Sequence, residues 1–245
     1  MPLFVKSEAA LKERRALGTS FGRSEKVHNP ERTADIVYFL HIPKCGGTSV
    51  AHLWRQTYPG CVIQPRLKVK SDIKHCRLDD VADDYDLSFS CVRNPITWYE
   101  SWWRYLLSPK VTDRTETLDQ AGKPNFDTWI GEGVWHPLRE IAPCHDRDFA
   151  KFIDNVIDHA PGFVSQMYQT YLGSDSERPL VDRVLKIETI DSDYKSLCND
   201  FGFAYPNVSK RENVSSRENV ANWQPNQLEK MKQLENDAFK RFGYS

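Results

Sequence analysis

An apolar run that stops at a proline and a pair of glycines constrains this chain more than any other feature. Residues 36–42 read IVYFLHI, and Pro43, Lys44, Cys45, Gly46, Gly47, Thr48 and Ser49 follow directly. A short run rich in β-branched and aromatic residues predicts a strand buried on both faces, the habit of parallel sheets. Pro43 ends strand pairing, Gly46 and Gly47 let the backbone turn tightly, and residues 48–58 read as the helix that follows. Strand, tight turn and helix in that order make an α/β unit the starting expectation.

A second unit of the same kind lies downstream. Residues 87–92 (LSFSCV) predict another buried strand, and after Asn94 and Pro95 a helix is expected over 96–107. Phe149, Phe152, Ile153, Val156 and Ile157 fall at helical spacing, so 148–160 should be an amphipathic helix. Helices at 164–172 and 190–201, a strand at 181–187 and one closing helix over 225–242 complete the alternation. The pattern predicts a doubly wound α/β sheet, in a P-loop-like three-layer fold whose central, mostly parallel sheet is flanked by helices. Residues 1–33 are expected to form a partly ordered N-terminal arm, and 34–245 a single domain. Within that domain 108–147 should be mostly loop, with a short helix near 126–131, and is a candidate substrate-binding lid.

Bulk properties narrow the partners. A length of 245 residues with 40% hydrophobic content supports one sizeable core. A formal net charge of -1 offers no broad basic field for nucleic acid or an anionic membrane. No apolar run approaches the roughly 20 residues that span a bilayer, and 1–33 lack the apolar stretch of a signal peptide. A soluble, cytoplasmic protein is therefore expected, and the Asn-x-Ser sequons at Asn207 and Asn213 read as coincidence. Six cysteines, at 45, 61, 76, 91, 144 and 198, form no CxxC pair and no His/Cys cluster of zinc-ligand spacing. Free thiols and no metal site are expected, and the sequence sets no oligomeric state.

The turn after the first strand has the chemistry of an anion cradle. Converging amides at a helix start, the Thr48 and Ser49 hydroxyls and the Lys44 ammonium are all donors to a phosphate-like group. A Walker A loop would read GxxxxGK[ST]; here the lysine precedes the glycines and the upstream glycine is absent, against an ordinary ATPase or kinase. The full segment HIPKCGGTS at 41–49 resembles the phosphosulfate-binding loop of the sulfotransferases that use 3′-phosphoadenosine 5′-phosphosulfate (PAPS), carbohydrate sulfotransferases above all. His41 reads as a structural histidine at the strand end. Cys45 occupies that family's variable position.

A second motif supports the first. Arg93 ends the strand at 87–92, and Ser101 lies eight residues on, so both are expected to reach one anion beyond the strand ends. Arg93, Asn94, Pro95 and Ser101 resemble the 3′-phosphate motif of the same family. Where the family often has another arginine between Pro and Ser, this chain has Trp98. Shorter likenesses are Gln169 to Leu172, Lys186-Ile187-Glu188 and Asp237 to Tyr244, which extend the resemblance over 36–244. Lys210, Arg211 and Arg217 are further candidates to line the nucleotide cleft, against a reading as a solvated basic patch.

What the resemblance implies is an O-sulfotransferase that moves a sulfuryl group from PAPS to an acceptor hydroxyl, without a metal and with a carbohydrate acceptor preferred. Pro43, Lys44, Cys45, Gly46, Gly47, Thr48, Ser49, Arg93 and Ser101 would hold the nucleotide, with Lys44 at the leaving oxygen. His75 resembles the histidine that precedes the second motif in heparan sulfate 2-O-sulfotransferases and is the expected general base, with His136, His145 and Glu188 as competitors. Trp98, Trp102, Trp103, Trp129 and Trp135 are candidates both for stacking on an acceptor and for core packing. Three readings stay open beside a glycan acceptor: a small phenolic or lipid alcohol as acceptor, a nucleotide kinase with a degenerate P-loop, and a noncatalytic nucleotide-binding module.

Overall fold

The computed structural model describes residues 37–57, 61–62, 75–81, 85, 87–112, 125, 128, 134–175, 179–205 and 220–245. The expected arm over 1–33, both sequons, Trp129, and Lys210, Arg211 and Arg217 lie outside those residues, as does the expected helix near 126–131 save for Thr128.

The first predicted strand is β1 (Val37–Leu40), buried at every position, and the chain turns from it into α1 (Gly47–Thr57). A two-residue β2 (Cys61–Val62), β3 (Leu87–Val92) and β4 (Arg183–Lys186) complete a small parallel sheet in the order β2-β1-β3-β4. Every residue of β3 is buried, which is why its sequence reads as a continuous apolar run interrupted only by serines. Those serines are satisfied: Ser90 Oγ donates to Leu40 O at 2.7 Å, and Ser88 N and Oγ donate to Asp182 Oδ2 at 2.8 and 3.0 Å. Phe39 and Phe89, partners in the register, stack at 4.9 Å, and Trp54 of α1 covers Phe89 at 4.9 Å. Tyr194 of α6 (Ile190–Phe201) meets Trp54 edge-on at 5.8 Å, so α1 and α6 share one apolar junction over the sheet.

A second group of helices packs around α2 (Pro95–Leu106), which starts where the sequence says it should. Pro95 occupies its first position, and the Asn94 side chain accepts from Ile96 N at 2.9 Å. After a short α3 (Pro109–Thr112) come α4 (Phe149–His159), capped by Asp148, and α5 (Phe163–Leu172). Trp98 packs on Phe163 at 5.6 Å and Trp103 on Phe149 at 5.1 Å. Trp98, Trp102 and Trp103 are thus core residues. The final stretch of the expected lid, 134–147, is tied into the same core through buried Leu138, Ile141, Ala142 and Cys144. Cys45, Cys76, Cys91, Cys144 and Cys198 are buried, and none of these five is in a disulfide. Among the described residues no helix is long and apolar enough to cross a membrane.

One sequence expectation fails. The closing helix is not continuous over 225–242 but breaks into α7 (Pro225–Leu234) and α8 (Asn236–Phe242) at Glu235. The cause is polar. Glu235 is fully buried, and its carboxylate accepts from Val164 N at 3.1 Å, Ser165 N and Ser165 Oγ at 2.7 Å each, and Tyr99 OH at 2.5 Å. It caps α5 from the junction between α7 and α8, because Gly162 at the N-cap brings no side chain. Gly162 has φ of 70°, and a Cβ there would stand 3.1 Å from Leu234 O, so glycine lets the chain cross at the break.

Burial raises the Glu235 carboxyl above the usual carboxylate range, against the pull of its donors. A folded pKa above the unfolded one means that the contribution of the protonated group is complete below the unfolded pKa and declines as pH rises through the raised one. Glu235→Ala is expected to cost about 1–3 kcal/mol through the amides it strands and to remove that pH-dependent decline, as measured by urea unfolding across a pH series.

Candidate functional site

Strand order reverses between β1 and β3: β2 lies on one side of β1, and β3 and β4 on the other. In parallel α/β sheets the crevice beyond the carboxyl ends of the strands at such a reversal is where ligands bind. Both sequence motifs leave the sheet there. The register pairs Leu40 with Ser90, so the loop after β1 and Arg93 after β3 emerge side by side.

The loop has the backbone that its sequence promises. Lys44 and Gly46 take positive φ of 62° and 74°, Lys44 being the one described non-glycine residue that does so. The first helical bond of α1 runs from Val50 N to Gly46 O at 3.1 Å, so the amides from Gly46 to Ser49 stand where a helix supplies no acceptor. Both glycines are required by close approach. A Cβ on Gly46 would meet Ile187 Cδ1 at 2.2 Å, and one on Gly47 would meet the His41 ring at 2.0 Å. His41 is buried, in keeping with its structural reading, while Thr48 is exposed at the helix start.

Arg93 closes on this loop. Its Nη1 donates to Lys44 O at 3.4 Å and its Nε to Thr97 Oγ1 at 3.0 Å. From α2, Trp98 Nε1 donates to Pro43 O at 2.8 Å, and the Tyr105 ring lies 4.1 Å from Lys44 Nζ. Ser101 is buried on the same helix. It sits one turn after Thr97 and Trp98 and one turn before Tyr105, on the face that carries all three.

Residues that the sequence did not single out brace the site. Tyr168 of α5 grips the Arg93 backbone twice, accepting from its N at 2.9 Å and donating to its O at 2.6 Å, and its hydroxyl lies 3.5 Å from Cys45 Sγ. Burial pushes the Cys45 thiol up to about 12, so it is neutral and no nucleophile at ordinary pH. Tyr168 could not be found from sequence, since a tyrosine in an apolar helix carries no positional signal. Tyr105 had one: it lies four residues after Ser101 on a helix face already assigned to the site.

The shorter sequence likenesses also converge here. Beyond β4, Ile187 fills the space over Gly46, and Glu188 Oε1 accepts from Asn94 N at 2.7 Å. The closing segment returns to them, with Tyr244 OH donating to Glu188 Oε2 at 3.2 Å and Phe242 edge-on to Tyr168 at 5.4 Å. Gln169, Asp237, Lys240 and Arg241 line a neighbouring cleft of about 290 Å³ between α5 and α8.

The four base candidates part company. His75 is half-buried, packs on His41 with ring centroids 4.8 Å apart, and its carbonyl is held by Tyr171 OH at 2.5 Å. His136 stands behind His75, with Nε2 3.3 Å from His75 Nδ1. Both Glu188 oxygens are engaged as described. His145 is buried next to Asp146, whose carbonyl accepts from Trp103 Nε1 at 3.0 Å on the far side of α2. Among the described residues no group of three His, Cys, Asp or Glu side chains is arranged to hold a metal ion.

Comparison of the sequence with family models and with curated proteins gives no match. The site therefore rests on its own geometry. Tyr168→Phe is expected to leave the Arg93 amide without its acceptor and to lower stability by about 1–3 kcal/mol, read from the thermal midpoint.

Proposed function

We propose that this protein is a PAPS-dependent O-sulfotransferase with a P-loop-like α/β fold, acting in the cytoplasm on a glycan or glycoconjugate hydroxyl. The observation that carries the reading is the meeting of two cationic arms at the strand-order reversal, where the Arg93 guanidinium lies against the carbonyl of Lys44. One anion site would suit many ligands. Two adjoining sites, one a glycine loop with its lysine ahead of the glycines, suit a nucleotide carrying both a 5′-phosphosulfate and a 3′-phosphate.

In this reading the amides from Gly46 to Ser49 and the Thr48 and Ser49 hydroxyls hold the phosphosulfate, with Pro43 and Cys45 shaping the loop. Arg93 and Ser101 take the 3′-phosphate. The acceptor oxygen forms a bond to sulfur while the bond from sulfur to the 5′-phosphate oxygen breaks, and Lys44 offsets the charge that grows on the departing oxygen. The acceptor proton passes to His75. The products are a sulfate ester and adenosine 3′,5′-bisphosphate, with no metal in the balance. A half-buried Trp135, against Tyr171 at 6.0 Å and beside the His75 segment, supports a sugar acceptor.

Calorimetric titration with adenosine 3′,5′-bisphosphate tests the donor site. Wild type is expected to bind, and Lys44→Ala and Arg93→Ala to weaken binding at least about tenfold through loss of charge-assisted hydrogen bonds. Absence of binding by wild type would overturn the proposal. In a sulfate-transfer assay, His75→Ala is expected to lower turnover by at least about tenfold while leaving nucleotide affinity nearly intact.

A further inference from the structure

His75 belongs to a row of three imidazoles, and the last of them carries information about its protons. His136 is buried at the head of the 3-10 turn Pro137–Arg139, where its Nδ1 accepts from Leu138 N at 3.1 Å. A backbone amide only donates, so Nδ1 of His136 holds a lone pair. A neutral imidazole has one N–H, which must then sit on Nε2. That nitrogen lies 3.3 Å from His75 Nδ1, so His136 is the donor and His75 Nδ1 the acceptor. A neutral His75 consequently bears its proton on Nε2. An imidazolium His75 would turn a second N–H against that of His136.

We infer that His136 is a positioning residue that sets the tautomer of His75, and that the form of His75 able to take a proton at Nε2 arises only when the pair opens. The tautomer follows from the geometry alone. Its consequence for turnover rests on the sulfotransferase reading. His136 then acts as a brake on the base: while its Nε2–H points at His75, the other nitrogen of His75 is a donor. This arrangement is the reverse of one in which a carboxylate receives Nδ1–H and leaves Nε2 bare.

The test joins a spectroscopic and a kinetic measurement. Long-range proton–nitrogen correlation on protein labelled at histidine, assigned with His75→Gln and His136→Asn, is expected to show both His75 and His136 protonated at Nε2 in the neutral wild type. His75 protonated at Nδ1 would overturn the inference. In His136→Asn the shorter side chain retains an oxygen for Leu138 N but withdraws the donor from His75. His75 should then show mixed tautomers, and kcat should rise roughly two- to tenfold, the worth of one hydrogen bond, with KM for PAPS unchanged. His136→Gln, whose amide can accept as well as donate near His75, keeps part of the brake and should rise less than His136→Asn. A fall in kcat in both variants would overturn the brake. Wild-type protein that shows the expected tautomers yet transfers no sulfate would count against the sulfotransferase reading and leave the tautomer assignment standing.

Discussion

The parallel pairing of β1 with β3 is the constraint on which the rest of the molecule depends. Each strand ends at the same edge of the sheet, and each is followed by a turn into a helix. Because β2 lies on the far side of β1, the strand order reverses between the two turns, which is where a crevice forms in such sheets. The apolar character of both strands, including the Phe39–Phe89 stack, is what holds that edge rigid.

Around the crevice the charged groups are held by neutral ones. The indole of Trp98 fixes the Pro43 carbonyl, the ring of Tyr105 lies beside the Lys44 ammonium, and the phenol of Tyr168 fixes the backbone of Arg93. Such preorganisation matters for transfer chemistry, in which geometry and fixed dipoles carry most of the rate. Trp98 stands where the resembling family often places an arginine. Here that position contributes a backbone clamp and no charge, so the proposed donor site relies on Lys44 and Arg93 as its cations.

Much of this was legible in the sequence because the signals were local. Buried strands announce themselves as short apolar runs, Asn94-Pro95 as a helix start, and Phe149 to Ile157 as an amphipathic face. The loop from Pro43 to Ser49 and the Arg93 to Ser101 spacing both point to one edge of the sheet. What escaped was non-local. Glu235 looks like one more polar residue on a long helix, and only its position against the start of α5, seventy residues away in sequence, makes it a helix breaker. Tyr168 escaped for the same reason, and so did the contact that Tyr171 makes, as their hydroxyls serve backbone groups on distant segments. The His75–His136 contact joins residues 61 apart, and no spacing rule connects them.

The break at Glu235 has a consequence for biosynthesis. It redirects α8 so that Phe242 and Tyr244 reach Tyr168 and Glu188, the two residues that hold the backbone of Arg93 and Asn94. A chain emerging from the ribosome can pair β1 with β3 early, but the arm that carries Arg93 lacks its outer brace until residues 235–244 have left the exit tunnel. The nascent polypeptide therefore holds its glycine loop long before the crevice is finished, and helical turns synthesised far downstream complete the opposite wall.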